Sequence, residues 1–266
     1  MKKLLILTIL SWSLTTQANI IETNSMNSVF DHVELKLKEF DAKEILLVMD
    51  IDNTLLTSNQ DLNSYAWSNW QRDLIKKHSK EAITQDINEF YDIQSVLYSL
   101  GKMHHPEAII SPRLQKLQLQ GVSTIALTSR GPSSRNATER ELIANNIDFK
   151  TMEFIGFPEQ FIPTYGSGRK VSFQNGIYMT TGQHKGLMLK GLLERLNKTY
   201  KVIIFVDDTA KHTINVYNTY KHLQNNIVAF RYGRMDDKVS KFINGDKSLV
   251  KNQMIELNNV LNNIFK

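Results

Sequence analysis

Residues 45–55 read ILLVMDIDNTL, a run of five apolar residues followed at once by acidic and hydroxyl side chains. An unbroken apolar run of this length is typical of a strand that is covered on both faces in a parallel sheet. Ligands of open α/β sheets bind beyond the carboxyl ends of the strands, so Asp50 and Asp52 are predicted to lie in a crevice there. The alternative is an Asx-turn, in which Asp52 or Asn53 bonds to its own backbone where the strand ends.

Three further apolar runs, at residues 124–127, 202–206 and 227–230, have the same unbroken character. Helical patterns lie between them. Ser111-Pro112 predicts the start of one helix, with Ser111 as N-cap. Another has leucines at 189, 192, 193 and 196, the spacing of one buried helical stripe. This alternation predicts an α/β fold with a parallel sheet and right-handed crossovers.

Polar residues also follow two of these later runs. Thr128, Ser129 and Arg130 follow one, and Asp207 and Asp208 follow another. Hydroxyl, backbone N–H and guanidinium groups are well suited to binding phosphate oxygens. A strand-end carboxylate can attack phosphorus to form an aspartyl-phosphate, while a second carboxylate protonates the leaving oxygen and later activates water. The pattern therefore indicates phosphoryl chemistry.

Lys185 stands at the start of the leucine-striped helix. A cation at a helix N-terminus is opposed by the helix macrodipole, so an anionic partner is expected. A phosphorylated aspartate would be a suitable partner. Taken alone, Lys185 would be better interpreted as an ordinary solvated lysine.

The strand-end carboxylates predict a metal site. Asp50, Asp52, Asp207 and Asp208 in one crevice would repel one another unless a cation were present. Oxygen donors shared with a phosphate favour Mg²⁺. The predicted protein ligands are Asp50, the backbone carbonyl of Asp52, and Asp208, with the division of labour between Asp207 and Asp208 left open.

The segments DIDNTL, TIALTSR, Lys185 and VIIFVDD, in this order, resemble the four motifs of the haloacid dehalogenase (HAD) superfamily of phosphatases. The resemblance covers residues 44 to about 230. It implies a Rossmann-like parallel sheet with a helical cap insertion. It further implies Asp50 as nucleophile, Asp52 as general acid/base, Thr128 and Lys185 as phosphate ligands, and Asp208 as Mg²⁺ ligand.

Parts of the chain also resemble two branches of that superfamily. The N-terminal segment, the helical segment after the first motif and Thr-Ser-Arg resemble secreted acid phosphatases. Residues 173–186, FQNGIYMTTGQHKG, resemble an uncharacterised branch of HAD-like proteins from intracellular bacteria. One departure is His212, since many members have a carboxylate or Asn four residues after the metal-binding Asp.

Composition excludes several classes of protein. The 266 residues are 41% hydrophobic and 22% charged, which is unlike a disordered chain or a fibre. Without cysteine there is no disulfide scaffold, thiolate metal site or cysteine nucleophile. Lys and Arg are scattered rather than clustered, so the net charge of +5 does not indicate a nucleic-acid partner.

Residues 1–18, MKKLLILTILSWSLTTQA, have the three regions of a signal peptide. Its apolar core is too short for a permanent membrane span. The prediction is therefore an exported protein, periplasmic or secreted, of residues 19–266 without a stable membrane span. Removing Lys2 and Lys3 would lower the formal charge to +3. The alternative is an N-terminal core helix.

Two segments interrupt the alternation of strands and helices. Residues 58–108 are helix-like and predict a cap insertion, in which Trp67 and Trp70 pack the interior. Residues 150–184 are rich in Gly and Pro around short β-like pieces, which predicts a loop and hairpin excursion. Both segments are expected to set substrate specificity.

The sequence thus predicts a Mg²⁺-dependent phosphomonoester hydrolase that acts on a phosphorylated small molecule or phosphoprotein. Phosphotransfer to an acceptor alcohol is a variant of the same chemistry. The alternative from another class is a catalytically idle HAD-fold binding module, or a secreted effector, that binds a phosphorylated partner. A pure binding module would have no need of Asp52.

Overall fold

The computed structural model describes residues 20–149, 160–223 and 226–265. The predicted signal peptide, residues 1–18, lies outside these described residues. So do residues 150–159 of the predicted loop and hairpin excursion.

Strands of the described chain form one large sheet and one small pair. The large sheet contains β1 (Ile20–Thr23), β2 (Ile45–Met49), β5 (Ser123–Thr128), β6 (Gln160–Phe161), β7 (Val171–Gln174), β8 (Ile177–Met179), β9 (Val202–Asp207) and β10 (Asn226–Tyr232). The small pair is β3 (Thr57–Ser58) and β4 (Met103–His104), which are antiparallel. The order in the large sheet is β1-β10-β9-β2-β5-β8-β7-β6.

The four apolar runs predicted as strands are β2, β5, β9 and β10, and they are adjacent and parallel. The prediction of an α/β fold with a mostly parallel sheet is therefore confirmed. Strands β1 and β8 extend the parallel part on either side, and β7 and β6 complete one edge antiparallel. The chain proceeds from β2 to β5 on one side and returns to β9 on the other, so β2 lies at a topological switch point.

Helices cover both faces of this sheet and form a separate helical unit. They are α1 (Met26–Lys36), α2 (Tyr65–Lys76), α3 (Ile87–Leu100), α4 (Ile110–Leu119), α5 (Arg135–Ala144), α6 (Lys185–Arg195), α7 (Ala210–Tyr220), α8 (Asp236–Asn244) and α9 (Ser248–Phe265), with single 3₁₀ turns at Ala42–Glu44 and Pro132–Ser134.

The unbroken apolar run of β2 is explained by two hydrophobic cores. Leu47 and Met49 pack in a cluster with α1 and α4, whereas Leu46 and Val48 pack in a second cluster with α6 and α7. Successive side chains of a strand point to opposite faces, so a strand between two layers must be apolar at every position. The same requirement leaves only the ends of the strand free for polar residues.

Residues 58–108, predicted as a helical insertion, contain α2 and α3 between the short strands β3 and β4. Trp67 of α2 is fully buried and packs with Phe90 of α3, as expected from the sequence. The same cluster includes Phe242 and Met254 of α8 and α9. The two C-terminal helices, which no sequence pattern above predicts, therefore complete the core of this helical unit.

Two further predictions can be compared with the structure. Ser111 was expected to cap α4, but the helix already begins at Ile110, and the Ser111 hydroxyl donates to the carbonyl of Asn146 at 2.7 Å. That prediction was wrong because a tertiary partner binds the hydroxyl. Residues 160–184 contain the β7–β8 hairpin, which is part of the sheet edge.

Within the described ranges, no helix combines the length and apolarity needed to cross a membrane.

Candidate functional site

The site begins where β2 ends. The backbone N–H of Asp50 donates to Val206 of β9 at 2.9 Å, so the ladder between the two strands continues to this residue. The Asp50 side chain is buried at the carboxyl end of the sheet. Asp207 is the last residue of the neighbouring strand β9, Asp208 follows it, and both face the same crevice.

Lys185 joins these two strand ends. Its Nζ lies 2.6 Å from Asp50 Oδ1 and 2.6 Å from Asp207 Oδ2, and its side chain is 0% exposed. Burial by itself would lower the pKa of Lys185, but the two carboxylates outweigh it and raise the pKa. The lysine is therefore an ammonium ion that neutralises part of the acidic cluster, and the anionic partner predicted from its helix position exists.

Three carboxylates form the acidic cluster. Asp50, Asp207 and Asp208 each offer an oxygen, and these oxygens lie within 4.8 Å of one another. Against the single ammonium of Lys185, two negative charges would be uncompensated if all three were ionised. Burial, with the neighbouring carboxylates, raises the pKa of Asp50 well above its ordinary value and that of Asp208 to about 7. Such a set of buried, hard oxygen donors could hold a divalent cation.

Asp207 and Asp208 differ in their surroundings. Asp207 is 0% exposed, and besides Lys185 it accepts from the backbone N–H of Thr209 at 2.8 Å and contacts His212 Nδ1 at 3.1 Å. Burial alone would raise its pKa, but Lys185 and His212 hold the pKa below its ordinary value. Asp208 is 9% exposed and accepts from Asn53 Nδ2 at 3.2 Å. The Thr209 hydroxyl also donates to Asp208 at 3.0 Å, so both carboxylates are engaged by protein donors and Asp208 is the more accessible of the pair.

Asp52 does not belong to this acidic cluster, and its carboxylate is instead paired with Arg130. Arg130 donates from Nε to Asp52 Oδ2 at 2.9 Å and from Nη2 to Oδ1 at 2.7 Å, a bidentate pair. The guanidinium also donates to Thr138 at 2.9 Å and lies 4.0 Å from the centre of the Tyr98 ring. Arg130, predicted as a phosphate ligand, is directed at Asp52 here. The Asp52 carboxylate is not a member of the acidic cluster.

The remaining predicted phosphate ligands lie next to Arg130. Thr128 is fully buried, and its hydroxyl oxygen accepts from the backbone N–H of Arg130 at 3.2 Å. Ser129 lines a cavity at the carboxyl end of the sheet. Thr128 therefore shapes the loop after β5, while Ser129 is exposed to any ligand in the cavity.

The cavity has a volume of about 150 Å³ and two walls. The sheet side contributes Asp50, Asp52, His212 and the loop after β5, and α2 and α3 contribute the opposite wall. The Tyr65 hydroxyl of α2 bonds to the Thr209 hydroxyl at 2.8 Å, which joins the two walls. The predicted helical insertion thus lies over the strand ends.

Sequence reasoning missed several residues of this site. Asn53, considered only as a turn residue, orients Asp208, and its φ of 59° is the left-handed conformation that Asn tolerates. His212 was noted only as a departure from the fourth motif, and it contacts Asp207. Tyr65 and Arg72 carried no signal at all, because only the packing of α2 brings them to the cavity.

Comparison with known proteins identifies a family and a relative. A family model described as "Protein of unknown function (DUF2608)" matches residues 22–265. A Chlamydia pneumoniae protein named "Putative outer membrane protein" is 22% identical over 180 residues, which cover 66% of this chain. The aligned part is 64% of that relative, which is less than two thirds of its length.

Proposed function

The chain belongs to this family of proteins of unknown function, and we propose that it is a Mg²⁺-dependent phosphomonoester hydrolase of the HAD superfamily. The main support is the contact of Lys185 with both Asp50 and Asp207 inside the three-carboxylate cluster. A buried ammonium and a nucleophile candidate 2.6 Å apart at a topological switch point suit the binding of a phosphoryl group. The position of β2 between β5 and β9 also supports the HAD-like fold.

The proposed reaction has two steps. In the first, an oxygen of Asp50 attacks phosphorus, the bond to the ester oxygen breaks, and Asp52 gives that oxygen its proton. In the second, Asp52 takes a proton from water, the water oxygen attacks phosphorus, and the bond to Asp50 breaks. Lys185 holds the Asp50 carboxylate in place and offsets charge near the phosphoryl oxygens. In this proposal Arg130 positions Asp52 instead of binding phosphate.

Asp50 and Asp208, with the backbone carbonyl of Asp52, would hold Mg²⁺. When bound, the ion would neutralise negative charge on the phosphoryl group. Asp207 serves in this proposal to hold Lys185 and His212.

The test is hydrolysis of p-nitrophenyl phosphate by purified protein with Mg²⁺. Asp50→Asn and Asp52→Asn should each abolish turnover, and EDTA should do so reversibly. Asp31→Asn is the matched control, since this carboxylate of α1 is 66% exposed and pairs with Arg113 away from the site. Retained activity in folded Asp50→Asn protein would refute the mechanism.

One observation favours the alternative of an idle binding module. Both oxygens of Asp52 accept hydrogen bonds from Arg130, an arrangement that suits a structural carboxylate as well as a catalytic one. A folded wild-type protein that binds inorganic phosphate with Mg²⁺ in calorimetry, yet hydrolyses no phosphomonoester, would support this alternative.

We also propose an exported location, periplasmic or secreted. It is supported by the signal-like pattern of residues 1–18 and by the outer membrane in the relative's name. This proposal can be tested by fusing residues 1–18 to a reporter protein that is active only after export. A reporter retained inside the cell would contradict this proposal.

A further inference from the structure

A single cation stands in the helical wall of the cavity, among the described residues that line it. Arg72 of α2 is half-buried there, in a wall that Tyr65, Tyr91 and Tyr98 also line. The opposite wall holds Asp50 and Asp52. A ligand with its phosphoryl group at Asp50 would therefore extend its other end toward the wall that holds Arg72.

Carboxylates of the described residues balance the charges of the other two site cations but not that of Arg72. Lys185 is bound by Asp50 and Asp207, and Arg130 is bound by Asp52. Arg72 donates from Nη2 to the side-chain oxygen of Asn69, a neutral amide. Within the described part of the chain, no carboxylate forms an ion pair with it.

We propose that the substrate carries a second anionic group on its leaving group, and that Arg72 binds this group. The inference rests on the proposed phosphatase function and names the substrate class of that site. A guanidinium presents a planar fork of donors that matches a carboxylate or a phosphate. Such a group would supply the acidic partner that Arg72 lacks.

The rest of the helical wall restricts what lies between the two anions. It presents tyrosine rings and neutral hydroxyl and amide groups, including Ser68 and Gln94. Aromatic side chains pack well against a ring or another flat carbon skeleton. The volume of about 150 Å³ is below the range of about 300–1,000 Å³ for drug-sized ligands. The substrate class is therefore a compact phosphomonoester, such as an aryl phosphate, with a carboxylate or a second phosphate.

The experiment compares kcat/KM for phenyl phosphate and 4-carboxyphenyl phosphate, with 4-phosphonophenyl phosphate as a second anionic arm. For each variant, the measured quantity is the substrate preference, which is kcat/KM for the anionic substrate divided by kcat/KM for phenyl phosphate. Taking the ratio between variants cancels the different reactivities of the leaving groups. Whichever arm shows the larger effect identifies the carboxylate or the phosphate as the second anion.

Arg72→Gln should lower the preference about 10- to 100-fold, the value of a charge-assisted pair of hydrogen bonds. Arg72→Lys should restore part of it, because the charge remains and the fork is lost. Lys76→Gln is the matched control. It removes the same charge from an exposed position of the same helix and should leave the preference unchanged.

Two outcomes would overturn the inference while the proposed function stands. An unchanged preference in folded Arg72→Gln protein would show that no second anion is bound there. An equal loss on all three substrates would show that Arg72 acts on the reacting phosphoryl group. Absence of turnover of every substrate by the wild-type protein would instead overturn the proposed function, and this inference with it.

Discussion

Replacing Lys185 with methionine tests the electrostatic arrangement of the site directly. The substitution keeps an unbranched side chain of similar bulk and removes the ammonium that lies 2.6 Å from both Asp50 and Asp207. At an effective dielectric constant of about 20, each such contact amounts to about 6 kcal/mol of Coulomb energy. This is a ceiling, because the abandoned carboxylates can take up protons. Removing one partner of a buried pair costs about 3–5 kcal/mol in practice, and we expect a loss of that size.

The loss should depend on pH in a defined direction. Without the lysine, burial and mutual repulsion place the folded-state pKa values of Asp50 and Asp207 above their unfolded values. A carboxyl group whose pKa is raised on folding contributes stability below its unfolded pKa and loses it as the pH rises through the folded pKa. The variant's deficit should therefore be larger at pH 8 than at pH 5, where both carboxyls can be protonated.

The assay is urea unfolding followed by circular dichroism in EDTA at both pH values. Lys190→Met is the matched control, because Lys190 is on the same helix but pairs with Glu194 at the surface. Its loss should stay within about 0.5 kcal/mol. A Lys185→Met loss below about 1 kcal/mol at pH 8, or a larger loss at pH 5, would refute the reasoning.

Three further substitutions test other parts of the molecule. In EDTA at pH 8, Asp208→Asn should stabilise the protein by on the order of 2–4 kcal/mol, because burial raises the pKa of Asp208 to about 7 and ionisation then costs the folded state. Thermal melts should show this gain vanish toward pH 4, and Mg²⁺ should no longer raise the Tm of the variant; a gain that persists at pH 4 would contradict the assignment. Gly186→Ala should cost about 1–3 kcal/mol in urea unfolding, since its Cβ would lie 2.5 Å from the Asn215 carbonyl oxygen of α7. Adding Thr219→Ala should not restore stability, because the backbone clash remains. Trp67→Ala should cost about 3–5 kcal/mol by the same assay, as a fully buried ring is removed from the helical unit; a loss below 1 kcal/mol would show that this unit does not unfold together with the sheet.

The strands and their polar ends were predictable because each is a local pattern. β2 is apolar at every position, β5, β9 and β10 are each built around a short apolar run, and the residue types change where these runs end. Since parallel strands place their carboxyl ends at one edge, the meeting of Asp50 with Asp207 and Asp208 followed from the pattern alone.

Side-chain partners inside the site were not predictable in the same way. Arg130 was expected to face phosphate, but Asp52 offers two acceptor oxygens within 2.9 Å of its guanidinium. Ser111 was expected to cap α4, but the Asn146 carbonyl binds its hydroxyl. In both cases the decisive partner is distant in sequence, so no local pattern records it.

The sequence alone determined the α/β architecture and the edge at which acidic and hydroxyl residues gather, because burial on both faces of a strand imposes an apolar run that only its ends escape. The tertiary structure decided which charges are neutralised there. It placed Lys185 between two carboxylates, turned Arg130 onto Asp52, and packed α2 and α3 on α8 and α9 so that Arg72 faces the cavity. Pair energies depend on distances of a few ångströms and on burial, and only the assembled fold sets both.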